Sequence, residues 1–428
     1  MKAMVCEGPP YPDDVLVLVP HKNLITGSKE IAKAIGELTS LEEDLLTLAA
    51  AIFGVDLAAK RGEREKLTRN LMLSIPVVNH HAFTHLRDDL AYILYLLSDD
   101  NWTIDFVQRE GTPEGARHWS VQDGQTLLFS GGLDSLAAAV EVLERGSTLQ
   151  LASHYTRNRA TKTSQDQLFQ HLSSTFGGRV SRVTARITGQ NSGALRFPSD
   201  DEREATQRTR SFAFLVLGAI VARRTGFRDV LFIAENGQMA IHLPLTAARI
   251  GAFSTHTAHP EFVHEMERFL GAVLSFPLSI RNPFLYRTKA ECIAPLFADH
   301  WAAVEQSVSC WRSSRQASRH CGECVPCLIR RIAIEVHGQY LAEYARDLLA
   351  ERVADLPADD LGKRNLVELA EFVAWFGGSH SDARLEETFP DLYNEHIDRT
   401  QAIQMYRRFA IEAQTVFARY PGVGSIYL

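Results

Sequence analysis

At 428 residues, with 45% apolar and 23% charged side chains, the chain has the make-up of a globular protein and the length of one large α/β core with additions. Its 45 Lys and Arg against 52 Asp and Glu leave a formal charge of −7, which offers no chain-wide attraction to phosphate polymers and excludes nucleic acid as the expected partner. The longest apolar run, 212–222, falls short of the roughly 18 residues of a membrane span, and the first residues lack the basic start and apolar core of an export signal. No membrane association is therefore expected, a cytoplasmic location is, and the six cysteines are read as reduced thiols, metal ligands before disulfides.

Residues 1–120 read as a first α/β unit, a docking surface ahead of a catalytic core. Val15–Val19 is expected as a strand. Ser40-Leu41-Glu42-Glu43 has the Ser-x-x-Glu spacing that opens a helix, here running to about Phe53. Leu71–Val78 alternates like a strand but contains Pro76, which has no donor for a ladder, so an edge position is predicted. A helix carrying Leu90–Leu97 and a strand over Trp102–Val107 follow. His80, His81 and His85 have the spacing of polar residues on one helix face and are not taken as metal ligands.

Residues 121–338 alternate regularly. A strand before Ser130 leads to a helix from Asp134 to Leu143, then come a strand over Leu149–His154, a helix over 162–176, a strand over Arg182–Ile187, a long helix over Glu204–Thr225 and a strand over Asp229–Ala234. This pattern predicts a doubly wound parallel sheet, an α/β fold, with its ligands beyond the carboxyl ends of the strands. Ser130, His154, Ile187 and Glu235 then surround one crevice, and Glu235–Pro260 is expected as a substrate-lining loop. Residues 339–428 are expected to be a helical extension, with helices over Leu341–Leu349, Leu366–Phe376 and Gln401–Tyr420 and a tail from Pro421.

The chemistry is concentrated at Ser130-Gly131-Gly132-Leu133-Asp134-Ser135. Two glycines at a strand-to-helix joint let backbone approach a ligand, and the free N–H groups of the first helical turn favour an anion. The stretch is too short for the usual phosphate loop and lacks its lysine. It resembles instead the signature of the PP-loop ATP pyrophosphatases, which hold the β,γ-pyrophosphate of ATP and pass AMP to a substrate oxygen.

Cys310, Cys321, Cys324 and Cys327 form the second cluster, within a segment 309–331. A Cys-x2-Cys-x2-Cys run with a fourth thiol upstream closes a tetrahedral zinc site, and it also begins iron–sulfur runs, so the spacing leaves both open. His320 is adjacent and able to substitute.

With both clusters on the page, the chain resembles the 7-cyano-7-deazaguanine synthase (QueC) family through four segments: Ser130–Ser135, Arg210–Leu215, Pro283–Glu291 and Ser309–Cys327 with Arg330. The resemblance implies adenylation of 7-carboxy-7-deazaguanine by ATP and a zinc ion at the four cysteines. By position it implies that Ser130, Gly131, Gly132, Leu133, Asp134, Ser135 and His154 bind ATP and its Mg²⁺. Arg210 and Lys289 would act as catalytic cations beside Ser130, Asp134 and Ser135. Glu235, Asn236 and Gly237 are the candidates for reading the base. The family's Tyr-Pro-Asp-Cys-Arg type segment is absent, and about 120 N-terminal and 90 C-terminal residues are added. In both respects the chain is similar to the synthase-like proteins of bacterial anti-phage operons, the Qat and CBASS systems. That likeness implies an amide product formed with the N-terminal amine of an operon-encoded acceptor protein. Three other readings stand beside it: a nitrile synthase using ammonia, a tRNA sulfurtransferase, and a non-enzymatic nucleotide or deazapurine sensor.

Overall fold

The computed structural model describes residues 1–62, 68–115, 120–231, 234–245, 257–313, 320–341 and 344–423. Its strands are β1 (Lys2–Val5), β2 (Leu16–Leu18), β3 (Leu24–Ile25), β4 (Asn70–Val77), β5 (Asn101–Gln108), β6 (Gln125–Leu128), β7 (Leu149–His154), β8 (Val180–Ala185), β9 (Thr188–Gly189), β10 (Asp229–Leu231) and β11 (Ser279–Arg281). One sheet runs β2-β1-β4-β5 and a second runs β11-β10-β6-β7-β8, each parallel throughout; β3 and β9 form a separate antiparallel ribbon. The α/β class follows the predicted alternation, because each parallel crossover needs a helix to return the chain.

In the second sheet the earliest strand, β6, is central. The chain adds β7 and β8 on one side and then crosses to add β10 and β11 on the other. That reversal opens a crevice beyond the carboxyl ends of β6 and β10, where a doubly wound sheet binds its ligand.

The two sheets share one apolar cluster. The helix Ser40–Ala58 is buried along nearly its whole circumference and lies with the buried helix Arg210–Thr225 in this cluster, which explains why both are apolar on every face. No described helix is long and apolar enough to cross a membrane. A separate apolar cluster unites the helices Leu361–Gly377 and Arg399–Phe417 with the helix Val325–Glu335.

Several expectations need correction. β4 lies between β1 and β5 and is no edge strand. Met72 donates to Met1 on the β1 side, and with a period of two Pro76 faces that same side, where the β1 ladder has already ended at Met4 opposite Ser74. The missing donor therefore falls beyond the pairing. The capping box is made by Thr39 and Glu42, one residue earlier than read, and the helix runs on to Ala58.

The long helix begins at Arg210 rather than Glu204. Residues before it are drawn aside: the N–H and Oγ1 of Thr209 both donate at 2.9 Å to Asp56, and Glu204 accepts from the Arg61 N–H at 2.9 Å. No helix occupies the described part of 341–349 apart from a short 3-10 turn from Leu348. There the backbone pairs with the cysteine segment, Ala345 to His320 at 2.9 Å and Arg346 to Cys321 at 3.2 Å. Of the expected strand over Asp229–Ala234, residues 232–233 lie outside the described residues. So do 246–256 of the substrate-lining loop, 342–343 of the expected helix, and 424–428 of the tail.

Candidate functional site

β6 ends at Leu128 and the helix Leu133–Glu144 starts five residues later with Gly132 as its cap, so the joint is as tight as the spacing required. Gly131 has φ +83°, and a Cβ there would stand 2.9 Å from Gln165 Cγ and 3.1 Å from the Gln165 backbone nitrogen. Glycine is the residue that fits. Ser164 Oγ donates to Gly131 O at 2.7 Å, and Val308 N donates to the same oxygen at 3.0 Å. The loop's carbonyls are thus tied back into the protein. Ser130 and Ser135 face each other at 3.2 Å between hydroxyl oxygens, and the Gly132 N–H donates to Ser130 Oγ at 3.2 Å.

Asp134, in the first turn of that helix, meets two other elements. Lys289 Nζ lies 2.6 Å from its Oδ2, and Asn236 Nδ2 donates to the same oxygen at 3.1 Å. Its Oδ1 is buried without a partner. Lys289 opens the helix Lys289–Ile293, where the helix dipole disfavours a cation, so the Asp134 carboxylate is what steadies its charge. Glu235 adjoins the pair. Burial, and next the Asp134 carboxylate, push its pKa up to about 8, with Lys289 opposing.

The Lys289 segment is locked from behind by C-terminal residues. Thr288 caps the helix with Glu291 and donates to Glu412 Oε1 at 2.7 Å, and Arg408 Nε donates to Glu291 Oε1 at 2.6 Å. Gly237 sits against the Leu285 carbonyl, where a Cβ would approach to 2.4 Å. The helix Arg399–Phe417 therefore forms the back wall of the site.

A cavity of about 160 Å³ lies among these groups, lined by Ser130, Gly132, Leu133, Asp134, Glu235 and Lys289 with Met239, Val308, Ser309, Trp311, Pro326 and Ile329. His154 and Arg210 are outside its lining and form a neighbouring cluster. The His154 ring is 4.9 Å from that of Phe214, which the Arg210 guanidinium covers at 5.7 Å. Burial draws the His154 pKa down to about 4, with Arg210 and Arg186 adding to the effect. It is uncharged at neutral pH. Arg210 is exposed at the first position of its helix, and its guanidinium donates to Gln207 Oε1 at 3.4 Å.

The four cysteines are brought together as the spacing predicted. Cys310, Cys321, Cys324 and Cys327 are buried with all sulfur atoms within 4.8 Å of one another, and two pairs stand at 4.0 and 3.8 Å. A tetrahedral zinc with bonds of about 2.3 Å needs sulfur edges of about 3.8 Å. The set therefore fits a single zinc ion, and it is too tight for an iron–sulfur cage. The Arg312 and Cys324 N–H groups donate to Cys310 Sγ and Cys321 Sγ at 3.3 Å, the kind of bond that favours thiolate. His320 is not a fifth candidate: its Nε2 accepts from the Ser309 N–H at 3.3 Å. Among the described residues no group of three or more possible ligands includes His80, His81 or His85.

Arg330 is fully buried and donates to Ser307 Oγ at 2.8 Å, Ser309 Oγ at 3.2 Å and Val304 O at 2.8 Å. It is a pillar that holds the segment carrying Val308 against the Ser130 loop.

Val308, Ser309, Trp311, Pro326 and Ile329 were not singled out as lining residues from the sequence, whereas Met239 falls in the stretch expected to line the substrate. The sequence signal of the first five was adjacency to the cysteine run, which pointed to the metal and not to the cavity. The family model described as queuosine biosynthesis protein QueC matches residues 125–338. The match begins at β6, takes in the Ser130 loop, Lys289 and all four cysteines, and covers half of the chain.

Proposed function

From the premise that this chain belongs to the QueC family, whose chemistry is ATP-dependent and deazapurine-related, we propose that it adenylates a deazapurine carboxylate, 7-carboxy-7-deazaguanine, and joins it as an amide to the N-terminal amine of an operon-encoded partner protein in anti-phage defence. The observation that carries the reading is the Ser130–Ser135 loop at the crevice between β6 and β10, with Asp134 and Lys289 paired at 2.6 Å beside the cavity.

On this reading the Gly131, Gly132 and Ser135 region holds the β,γ-pyrophosphate, and Asp134 would hold Mg²⁺, which would supply charge neutralisation. The substrate carboxylate oxygen attacks the α-phosphorus and pyrophosphate leaves. A carboxylate is a poor electrophile, and this step gives its carbon a good leaving group. Lys289, which lines the cavity, offsets the negative charge that builds on the phosphorus oxygens, whereas Arg210 stands outside that lining. The neutral amine then attacks the acyl carbon, the C–O bond to AMP breaks, and the amine loses its proton as the amide forms. One activation suffices for an amide, whereas a nitrile needs two. Cys310, Cys321, Cys324 and Cys327 would hold a zinc ion, which would serve structure.

The N-terminal sheet and the C-terminal helices lie outside the matched segment and are the surfaces available for the acceptor. The test is to incubate the purified protein with 7-carboxy-7-deazaguanine, ATP and the product of the neighbouring gene. AMP, pyrophosphate and a mass increase on the neighbour are expected. ADP and orthophosphate, or free nitrile with the neighbour unchanged, would overturn the reading.

A further inference from the structure

The lining of the cavity divides into two unlike sets. Ser130, Gly132, Asp134, Glu235 and Lys289 supply charge and hydrogen-bonding groups, while Met239, Trp311, Pro326 and Ile329 supply apolar surface. Phosphate and carboxylate account for the first set alone. An apolar wall in the same small cavity calls for a ligand with an apolar face of its own.

Trp311 is the largest side chain of that wall and is 53% exposed, although Cys310 beside it is buried. The turn that presents it is pinned at several points. The Arg312 N–H donates to Cys310 Sγ at 3.3 Å, the Ser313 N–H to Cys310 O at 3.4 Å, and Asn158 Nδ2 to Ser313 Oγ at 2.9 Å. A large, half-exposed ring is thus held at the cavity by backbone fastened to the cysteine segment. Such a platform loses little freedom when a flat ring settles on it.

We infer that Trp311, with Met239, Pro326 and Ile329, is the surface on which the fused heteroaromatic ring of the acid substrate stacks, so that the site selects planar ring acids over aliphatic ones. The inference rests on the reading above, in which the acid end of the substrate reaches Lys289 and the loop. It gives the cysteine site a second consequence, because the thiol that holds the ion also holds the platform.

The experiment is acid-dependent exchange of labelled pyrophosphate into ATP, using the full chain, ATP and 7-carboxy-7-deazaguanine, with wild type, Trp311→Leu and Trp311→Phe compared at equal zinc content. Loss of one base–aromatic stack should raise the KM for the acid about tenfold or more in the Leu variant. The KM for ATP should stay within about twofold of wild type, and Phe should restore most of the loss. Exchange in wild type with an unchanged KM for the acid in Trp311→Leu overturns the stacking and leaves the function standing. No exchange in wild type overturns the function and this inference with it. If the Leu variant loses its metal, the decision passes to fluorescence. Quenching by the acid must be present in wild type and lost in Trp311→Phe, and equal quenching in both overturns the proposal.

Discussion

Replacing Lys289 by Met tests the centre of the site. Lys289 and Asp134 have side chains 7% and 11% exposed and are 2.6 Å apart. Without the ammonium, the carboxylate keeps only neutral neighbours, Asn236 donating at 3.1 Å and the protonated Glu235 beside it. Removing one member of a buried ion pair costs about 3–5 kcal/mol. Because Asn236 stays and the pair borders a cavity, the lower end applies, about 3 kcal/mol, or a melting temperature lower by about 6–12 °C for a core of this size. Asp134→Asn in the same chain removes the stranded charge, so the double variant should recover about 2 kcal/mol relative to additivity. The assay is urea denaturation of the four proteins of this cycle at pH 7, with pyrophosphate exchange measured in parallel. Exchange should fall by about 100-fold or more in both Lys289 variants, since restoring stability does not restore the cation. A cycle additive to within about 0.5 kcal/mol would refute the coupling.

Gly131→Ala places a Cβ at φ +83° within 3.1 Å of the Gln165 backbone. It should cost about 2 kcal/mol or more and abolish ATP binding in calorimetry, whereas Gly132→Ala, whose φ of −90° suits any residue, should leave the melting temperature within a few degrees. Metal analysis of the purified protein should give one zinc per chain and no iron. Cys327→Ser should lower that content and unfold the segment, since structural zinc contributes about 10 kcal/mol or more to folding in small zinc domains; a fully folded, metal-free variant would count against a structural ion. Glu412 has its pKa raised from 4.5 to about 7, chiefly by burial. Its protonated form is the one the fold prefers, so this contribution is complete below about pH 4.5 and is lost as pH rises through about 7. Glu412→Gln should remove about 1–2 kcal/mol of that pH dependence, read from urea midpoints at intervals between pH 4.5 and 8. Identical slopes for variant and wild type would refute it.

The elements most legible in the sequence were those set by local rules. β7 was read to the residue, Leu149–His154, a short segment set between two helices. The four thiols were legible because metal geometry demands close spacing whatever the surrounding fold. Where residues answer to distant partners, the reading slipped. The start of the helix at Arg210 depends on Asp56, more than 150 positions away, and the 341–349 segment answers to the backbone of His320 and Cys321. Pro76 was placed at an edge because a missing donor was counted without knowing where the neighbouring ladder ends.

The amino-acid order by itself determined the alternation of strands and helices, the glycine joint after β6 and the identity of the thiol set, since each follows from contacts within a few residues. Only the tertiary structure decided that β6 is central, that Lys289 and Asn236 share one oxygen of Asp134, and that the C-terminal helix closes their rear. Those meetings join residues up to 155 positions apart. They are set by which faces bury together, and that choice is made by the whole chain at once.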